Sequence, residues 1–401
     1  MILLISSIVV ARLLGKKQFG EYGMILYSVN LFTVFASFGL GLTATKYVAE
    51  HRQNDKIKTG KVIGLTSFFA VIMGGVISLL IVIFASRIAD DILNARHLTN
   101  SIRLAALIIF FNSINGALTG ILSGFEDFKV ISKVNILTCL IAVPFQILLT
   151  YVYGTNGCII GFGFYYLLQC ALTIYAVYLV TSKAQINIIF NGLLSELSII
   201  YKFSLPTLIS GLLVTLVMWL ATTFLVNQKN GYEELGVFNA ANQWRNAILF
   251  IPTVLAQITL PLLASTNDDK GEFKKILKIN IFINFVLSIL IALVISLFSK
   301  LIMSTYGQDF KEGYLVLVFL TFSSVLISIN NVIGQAIFAR GKIWFGFILN
   351  LIWGLILLST SYIFSINGYG AFGLSISFLI AYLLHTILVA FFTFFILLKK
   401  D

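Results

Sequence analysis

Charged residues are scarce in this sequence. Only 11% of its 401 residues are charged, whereas 59% are hydrophobic, and the mean hydropathy is +0.99. Because soluble domains usually carry roughly a quarter charged residues, this composition excludes a soluble globular protein. The sequence therefore predicts an integral membrane protein.

Cysteine is also rare. The three cysteines, Cys139, Cys158 and Cys170, fall in or beside apolar runs, without CxxC spacing and without neighbouring histidines. This pattern excludes a disulfide framework and a cysteine-based metal site. We interpret the three thiols as small hydrophobic groups, and no metal or bound cofactor is predicted.

Catalytic motifs are absent as well. The sequence contains no HExxH, no GxSxG and no phosphate-binding glycine loop, and the predicted outer loops are short. A polysaccharide polymerase or ligase would need a sizeable outer loop that carries catalytic residues. The sequence therefore predicts that the protein is not an enzyme.

Long apolar runs are what the sequence does contain. A spanning helix needs ~20 mostly apolar residues, and continuous rather than alternating runs indicate helices, not a β-barrel. The first run, which ends at Arg12, has only about a dozen apolar residues, so we interpret it as a membrane helix without its beginning. Twelve spans are predicted, near residues 1–14, 24–45, 62–86, 104–123, 134–153, 158–181, 203–226, 236–263, 279–299, 314–338, 343–365 and 371–397.

Lysine and arginine in the short loops predict the orientation of the chain. One face of the predicted topology carries 17 of these residues and the other 9, which accounts for 26 of the 27 and leaves Arg245 inside a span. Both termini are therefore predicted to be cytoplasmic. The net charge of +11 is explained by an anionic membrane leaflet and an anionic substrate, so no nucleic-acid partner is predicted.

Weak internal similarity indicates a repeat. "FGEYGMILYS" (19–28) aligns with "YEELGVFNAA" (232–241), and "TNGCIIGFG" (155–163) with "INGYGAFGL" (366–374). Together with the pair Gly120 and Gly334, these matches lie at a nearly constant separation along the chain. Because six spans per half is an even number, the halves share one orientation and form a parallel pseudo-two-fold repeat.

The repeat predicts the domain organisation. Residues 1–182 form an N-terminal six-helix bundle, 183–202 a cytoplasmic connector, and 203–401 a C-terminal six-helix bundle. Parallel halves of this kind suit alternating access, with a substrate site between the bundles. The alternative is a duplicated scaffold without a transport path.

Polar residues recur along the eighth predicted span. At 3.6 residues per turn Asn239, Asn242 and Asn246 share one face, and Gln243 and Arg245 lie on its two flanks. Amides in a membrane helix can simply form hydrogen bonds with neighbouring helices. The length of this stripe and its cation favour a water-filled path instead.

Arg245 is the strongest single candidate for a substrate-binding residue. Arginine near the membrane centre costs ~2.5–3.5 kcal/mol on insertion scales, so it faces a cavity or a partner unless it snorkels to the surface. Arg12 and Lys46 sit at span ends, where plain flanking charges are the alternative. All 16 acidic residues fall in loops or at span edges, so no carboxylate is left to bind a cationic drug or relay a proton. This charge pattern favours an anionic substrate.

Four stretches resemble a known family over essentially the whole chain: "ARLLGKKQFGEYG", "FGLGLTATKYVAEHRQND", "LSGFEDFKVIS" and "KFSLPTLISG". They are similar to the Wzx/RfbX-like flippases for O-antigen and capsule repeat units, within the multidrug/oligosaccharidyl-lipid/polysaccharide (MOP) exporter superfamily. The resemblance implies an all-α membrane protein with two six-helix bundles in a V. It also implies a multi-pass protein of the bacterial inner membrane that acts in polysaccharide or lipopolysaccharide biosynthesis.

By the same resemblance, the substrate is an undecaprenyl-pyrophosphate-linked oligosaccharide moved from the cytoplasmic to the periplasmic leaflet. The implied energy source is an H⁺ or Na⁺ gradient, and the implied partners are a polysaccharide polymerase and a chain-length regulator. A flippase for lipid II or a teichoic-acid-type glycan remains an alternative. A MATE-type cation or drug antiporter is another, although it would need a membrane carboxylate.

The family's cationic lumen would be carried here by Arg245, Arg12 and Lys46. The pyrophosphate would meet Arg245. Four amides would exchange hydrogen bonds with sugar hydroxyls, since an amide offers both donor and acceptor; they are Asn239, Asn242, Gln243 and Asn246.

Overall fold

A computed structural model describes residues 2–266 and 270–397, and within these ranges the chain is helical and contains no strand. The helices are α1 (Ile2–Ser37), α2 (Leu40–His51), α3 (Lys56–Arg87), α4 (Thr99–Gly124), α5 (Phe128–Lys183), α6 (Leu197–Ile199), α7 (Leu205–Val226), α8 (Gly231–Ser265), α9 (Lys270–Leu297), α10 (Ser299–Ser304), α11 (Tyr314–Ala339), α12 (Ile343–Ile366) and α13 (Gly370–Phe391).

The apolar runs that predict membrane spans all fall on these helices. Within the described ranges, seven helices are long and apolar enough to cross a membrane, and α1 with α2 forms one further bent pair. Helix α5, with 56 residues, contains two of the predicted spans, separated at Gly154, whose φ of 57° is non-helical. The all-α membrane fold predicted from composition is therefore confirmed.

The start of the chain agrees with the prediction in part. Residues 1–14 and 24–45 are predicted as separate spans, and the backbone is non-helical at Gly15 (φ 71°, ψ 173°), directly after the first of them, although α1 extends on both sides of this kink. The second predicted span is also broken, at Phe38 and Gly39, where both residues have positive φ and α2 turns away from α1 by 42°. Gly39 adopts this conformation without a Cβ penalty, whereas Phe38 must be held there by packing.

The chain divides into two compact units. Unit 1 comprises Met1–Leu14 and Glu21–Trp219, and unit 2 comprises Gly15–Gly20 and Leu220–Asp401.

In unit 1, α2 and α4 approach each other through glycine. A Cβ added at Gly120 would collide with the carbonyl oxygen of Gly41, and Thr45 Oγ1 donates a hydrogen bond to the Gly120 carbonyl at 3.1 Å. Small residues allow this backbone approach in membrane helices. Asn115 Nδ2 also donates to the Tyr166 carbonyl at 3.0 Å, so this polar residue of the fourth span joins helices.

The predicted connector also packs within unit 1. Residues 185–193, here called the strap, run against α3: the Ile189 amide donates to the Gly60 carbonyl at 3.1 Å. The Ile189 carbonyl lies so close to Gly64 that a Cβ there would collide with it, and Ile186 is buried. The strap is therefore a built part of unit 1 rather than a loose linker.

In unit 2, α11 packs against α8, α9 and α13. Ser328 Oγ lies 2.9 Å from Ser288 Oγ of α9, and Asn330 Nδ2 lies 3.2 Å from His385 Nδ1 of α13. The buried His385 is thus held by a hydrogen bond between helices. Polar residues of the tenth predicted span therefore join helices, as those of the fourth do.

Candidate functional site

Helix α8 carries the amide stripe. Its first turn contains Glu233 and Glu234, which favour the positive end of the helix dipole. Glu234 Oε2 also accepts a hydrogen bond from the Ala371 amide at 2.7 Å, at the start of α13. This bond attaches the beginning of α8 to the beginning of α13 and fixes the helix that bears the stripe.

The four predicted amides of α8 differ in exposure. Asn239 is 7% exposed, and its amide nitrogen is buried without a hydrogen-bond partner. Asn242 and Gln243 are half-buried, and Asn246 is exposed. Over about 10 Å of helix, the stripe thus passes from the interior of unit 2 to an exposed position.

Arg245 turns toward α13. The side chain is half-buried, and its Cζ lies 5.0 Å from the centre of the Phe378 ring. Both Nε and Nη1 are buried and have no hydrogen-bond partner within the described part of the chain. The aromatic ring stabilises a desolvated guanidinium by about 2 kcal/mol, but it satisfies none of these N–H donors.

Among the residues that the structure describes, no carboxylate lies within ion-pair distance of Arg245. The four ion pairs found among the described residues are His51 with Glu50, Arg52 with Glu126, Arg96 with Asp90, and His97 with Glu21. A half-buried guanidinium with unused donors and no acidic neighbour is suited to an incoming anion, because charge-assisted hydrogen bonds to phosphate oxygens are strong.

The sequence analysis did not identify the cluster of aromatic side chains next to Arg245. Phe378 lies 5.6 Å from Phe238 of α8 and 6.2 Å from Tyr382, and Tyr382 lies 5.2 Å from Trp353, measured between ring centres. The available signal was the spacing of Phe378, Tyr382 and His385, which places all three on one face of α13.

The other two predicted cations belong to unit 1. Arg12 is exposed on α1. Lys46 is exposed on α2, with Nζ 4.5 Å from the centre of the Phe203 ring and 4.9 Å from that of Tyr47. The structure therefore gathers the four amides and Arg245 on one helix of unit 2, while Arg12 and Lys46 are features of unit 1.

One buried carboxylate departs from the expectation that acidic residues lie in loops or at span edges. Glu21 lies within α1, after the kink at Gly15, is 5% exposed, and has Oε1 2.8 Å from His97 Nε2. The alignment of Glu21 with Glu234 in the repeat could have revealed this buried position, because Glu234 also forms a hydrogen bond within its own unit. Within the described residues, no three His, Cys, Asp or Glu side chains come together as a metal site.

The helices share their fold with a solved transporter of the MOP superfamily and with a solved lipid II flippase. An inward-facing multidrug MATE transporter of that superfamily superposes with a TM-score of 0.76 at 15% identity, over 97% of this chain and 93% of the other. The lipid II flippase MurJ, in an inward closed conformation, gives a TM-score of 0.77 at 14% identity, over 97% and 84%.

The chain belongs to the family described as polysaccharide biosynthesis protein, whose sequence profile matches residues 1–267. A curated relative, the EPS I polysaccharide export inner membrane protein EpsE of Ralstonia nicotianae, is 25% identical over 189 residues. That match covers 47% of this chain and 43% of the relative, so it spans less than half of EpsE. The resemblance seen in the sequence is therefore confirmed at the level of the family, and the solved structures share the fold.

Proposed function

We propose that the protein is a flippase of the bacterial inner membrane that moves undecaprenyl-pyrophosphate-linked oligosaccharide repeat units from the cytoplasmic to the periplasmic leaflet by alternating access. The observation that carries this proposal is the half-buried Arg245, with two unused buried donors and no acidic partner among the described residues. Membership of the polysaccharide biosynthesis family, and the similarity to an inner-membrane polysaccharide exporter, support the choice of a glycan substrate.

The pyrophosphate is the part of the substrate that Arg245 binds. Its oxygens accept hydrogen bonds from the guanidinium, which the Phe378 ring holds from behind. Sugar hydroxyls exchange hydrogen bonds with the amides, beginning at the exposed Asn246 and ending at the buried, unpartnered nitrogen of Asn239. The polyprenyl tail stays in the bilayer.

The topology is part of the proposal. Both termini face the cytoplasm, because 17 of the 27 basic residues lie on that face of the predicted spans. Arg12 and Lys46 attract the anionic substrate within unit 1, and an H⁺ or Na⁺ gradient supplies the energy. A polymerase and a chain-length regulator receive the translocated unit.

A lipid II flippase is the second candidate, because the solved flippase MurJ shares the fold and its substrate is also a lipid-linked glycan. Lipid II and a teichoic-acid-type glycan lipid share the anionic headgroup and differ in the glycan. A cation or drug antiporter is disfavoured, because Arg245 would repel a cation and no carboxylate lies within ion-pair distance of it among the described residues.

The test uses a strain that lacks the gene and is complemented with wild type, Arg245→Gln or Arg103→Gln. Arg103 is the matched control, because it is exposed on α4 and, in the described part of the chain, its Nη1 donates one hydrogen bond, to Asn100 Oδ1 of the same helix at 3.4 Å. Surface polysaccharide and the repeat units on each membrane face are measured. We expect about a tenfold or greater loss with Arg245→Gln, since a hydrogen bond to a charged group contributes about 1.5–3 kcal/mol.

Arg245→Gln should also cause repeat units to accumulate on the cytoplasmic face, while Arg103→Gln exports normally. Full export by Arg245→Gln at normal protein level would overturn the proposed role of Arg245. Repeat units that reach the outer face unpolymerised in the deletion strain would show that the protein acts after translocation. Accumulation of lipid II instead would select the second candidate.

A further inference from the structure

A cleft of about 500 Å³ with both apolar and polar lining opens in unit 2, away from Arg245. It lies where α7 ends and α12 ends, at the face that the proposed topology places outside. Its lining includes Phe224, Asn227, Gln228, Lys229, Tyr362 and Ser365.

Hydrogen bonds fix the frame of this cleft. Ser365 Oγ of α12 donates to the Phe224 carbonyl of α7 at 2.8 Å, and Gln228 Oε1 accepts from the Gly370 amide at 3.3 Å. Gly368, with φ of 72°, makes the left-handed turn that ends α12 beside the cleft. Because both walls are joined before any ligand arrives, binding costs little ordering of the protein.

An aromatic ring forms one wall. Tyr362 is 54% exposed, and the Phe224 ring meets it edge-on with 5.5 Å between centres, which holds the tyrosine in place. An exposed, fixed ring offers an apolar surface to the C–H face of a pyranose, as aromatic side chains do where one side of a ligand is apolar and the other polar.

Amides and one cation surround that ring. Asn227 is exposed, and Gln228 uses its carbonyl oxygen for Gly370, which leaves its NH₂ group for a ligand. Lys229 is exposed and is the single charged side chain among the described residues that line the cleft. An apolar ring, amides that can bond hydroxyls, and a lysine that forms no ion pair among the described residues together match a sugar that carries a carboxylate.

We propose that this cleft binds an acidic hexose, a hexuronate, of the glycan. The pyranose ring packs on Tyr362, its hydroxyls bond Asn227 and Gln228, and its carboxylate meets Lys229. The inference deepens the proposed function and rests on it for the source of the sugar, since a translocated repeat unit would reach this face on leaving. Affinity for the sugar itself follows from the cleft alone.

The test measures sugar binding to the full-length protein in lipid nanodiscs by saturation-transfer difference NMR. The probes are glucuronate and, as its neutral counterpart, glucose. We expect glucuronate to bind more tightly than glucose, and Tyr362→Ala to weaken glucuronate binding at least about tenfold, which corresponds to about 1.4 kcal/mol. Lys229→Gln should bring the affinity for glucuronate down to that for glucose.

Two matched variants control for general effects. Tyr369→Ala removes another exposed tyrosine, which packs on Phe364 outside the cleft, and Lys300→Gln removes an exposed lysine that lies over Tyr314. Both should bind glucuronate as wild type does, and size-exclusion profiles establish that each variant is folded. The proposal is overturned if wild type gives no glucuronate signal, or if folded Tyr362→Ala and Lys229→Gln bind like wild type.

Arg245→Gln separates this inference from the proposed function. If it loses export but retains glucuronate binding, both stand. If glucuronate fails to bind wild type while export still depends on Arg245, the cleft is wrong and the flippase stands. If the cleft binds glucuronate but export is intact without Arg245, the sugar-binding cleft stands and the proposed role of Arg245 in export is wrong.

Discussion

Units 1 and 2 repeat the same backbone turns and fill the space between helices differently. Helix α4 begins at residue 99 and α11 at 314, and α5 begins at residue 128 and α12 at 343, so one offset along the chain relates both pairs of helices. The turn before α5 has Glu126 at φ of 62°, and the turn before α12 has Gly341 at 69°, again at that offset. The repeat seen weakly in sequence is therefore a repeat of turns.

The contents of the two units diverge. Unit 1 brings backbone against backbone, at Gly41 with Gly120 and at Gly64 with the strap. In unit 2, a Cβ at Gly334, the counterpart of Gly120 in the repeat, would meet nothing within 4 Å. Lys278 follows Gly64 by the same number of residues as Gly334 follows Gly120, and it lines an open apolar cleft of about 290 Å³. With the same backbone turns, one unit is therefore closed by contacts between glycines, whereas the other stays open around larger side chains such as Lys278.

Substituting the two repeat-related glycines by leucine should give the largest contrast. Gly120→Leu places a side chain where a single Cβ already collides with Gly41, so we expect a loss of about 3 kcal/mol or more, because overpacking forces the backbone apart. Gly334→Leu enters open space on α11 and should change stability by less than about 1 kcal/mol. Thermal unfolding of the purified protein measures the stability of both variants. Equal losses of stability would contradict the inference that helices pack closely at Gly120 but not at Gly334.

The strap offers a more local contrast. Gly64→Ala adds a methyl group against the Ile189 carbonyl, so we expect the strap to lift from α3 at a cost of about 2 kcal/mol. Amide hydrogen exchange across residues 185–193 should accelerate. Gly116→Ala, whose Cβ would meet nothing within 4 Å, is the control and should leave that exchange unchanged. Unaltered protection in Gly64→Ala would mean that the strap is not held by this contact.

Much of the fold could be predicted because the backbone N–H and C=O groups of a membrane segment must form hydrogen bonds within the protein. A long apolar run therefore has few possible structures other than a helix. The bend at Phe38 and Gly39 could not, since hydropathy averages over about 20 residues and a left-handed Phe38 depends on packing. The fixed position of the strap was equally hidden, because it depends on how closely α3 lets another backbone approach.

The candidate site was only partly predictable. A lone cation in an apolar span identifies Arg245, and helical spacing identifies the amides beside it. The sequence does not reveal that the guanidinium turns toward Phe378, since α13 is apolar on nearly every side and only tertiary contacts choose its inward face. The proposed sugar-binding cleft is formed at the ends of α7 and α12, which are far apart along the chain, so sequence patterns do not reveal it.

Two glutamates at aligned positions of the repeat, Glu21 and Glu234, test whether side-chain partners also diverged. Glu234→Ala removes the acceptor for the Ala371 amide at the start of α13, so we expect a loss of about 1–2 kcal/mol. Glu21→Gln loses its charged contact with the largely exposed His97 but also relieves a buried charge, so we expect a change within about 0.5 kcal/mol. Thermal unfolding measures both, and a costlier Glu21→Gln would reverse the comparison.

The smallest effect concerns the helix starts that follow the repeated turn. Asp127, with φ −89° and ψ 58°, precedes α5 and accepts a hydrogen bond from the Val130 amide at 3.3 Å. Lys342, with φ −89° and ψ 44°, precedes α12 and makes no such side-chain bond. Because the two backbones are nearly alike, Lys342→Asp should supply the missing cap and stabilise the protein by about 0.5–1 kcal/mol, while Asp127→Ala costs about 1 kcal/mol.

Lys342→Ala separates capping from loss of the positive charge. If Lys342→Asp raises the unfolding temperature above that of Lys342→Ala, the carboxylate caps α12 as Asp127 caps α5. If the two variants unfold together, similar dihedral angles do not suffice, and the N-terminal turn of α12 lacks the amide geometry that α5 offers. Either result measures how far the repeated turns extend into the helices that follow them, which is the point where the two units begin to differ.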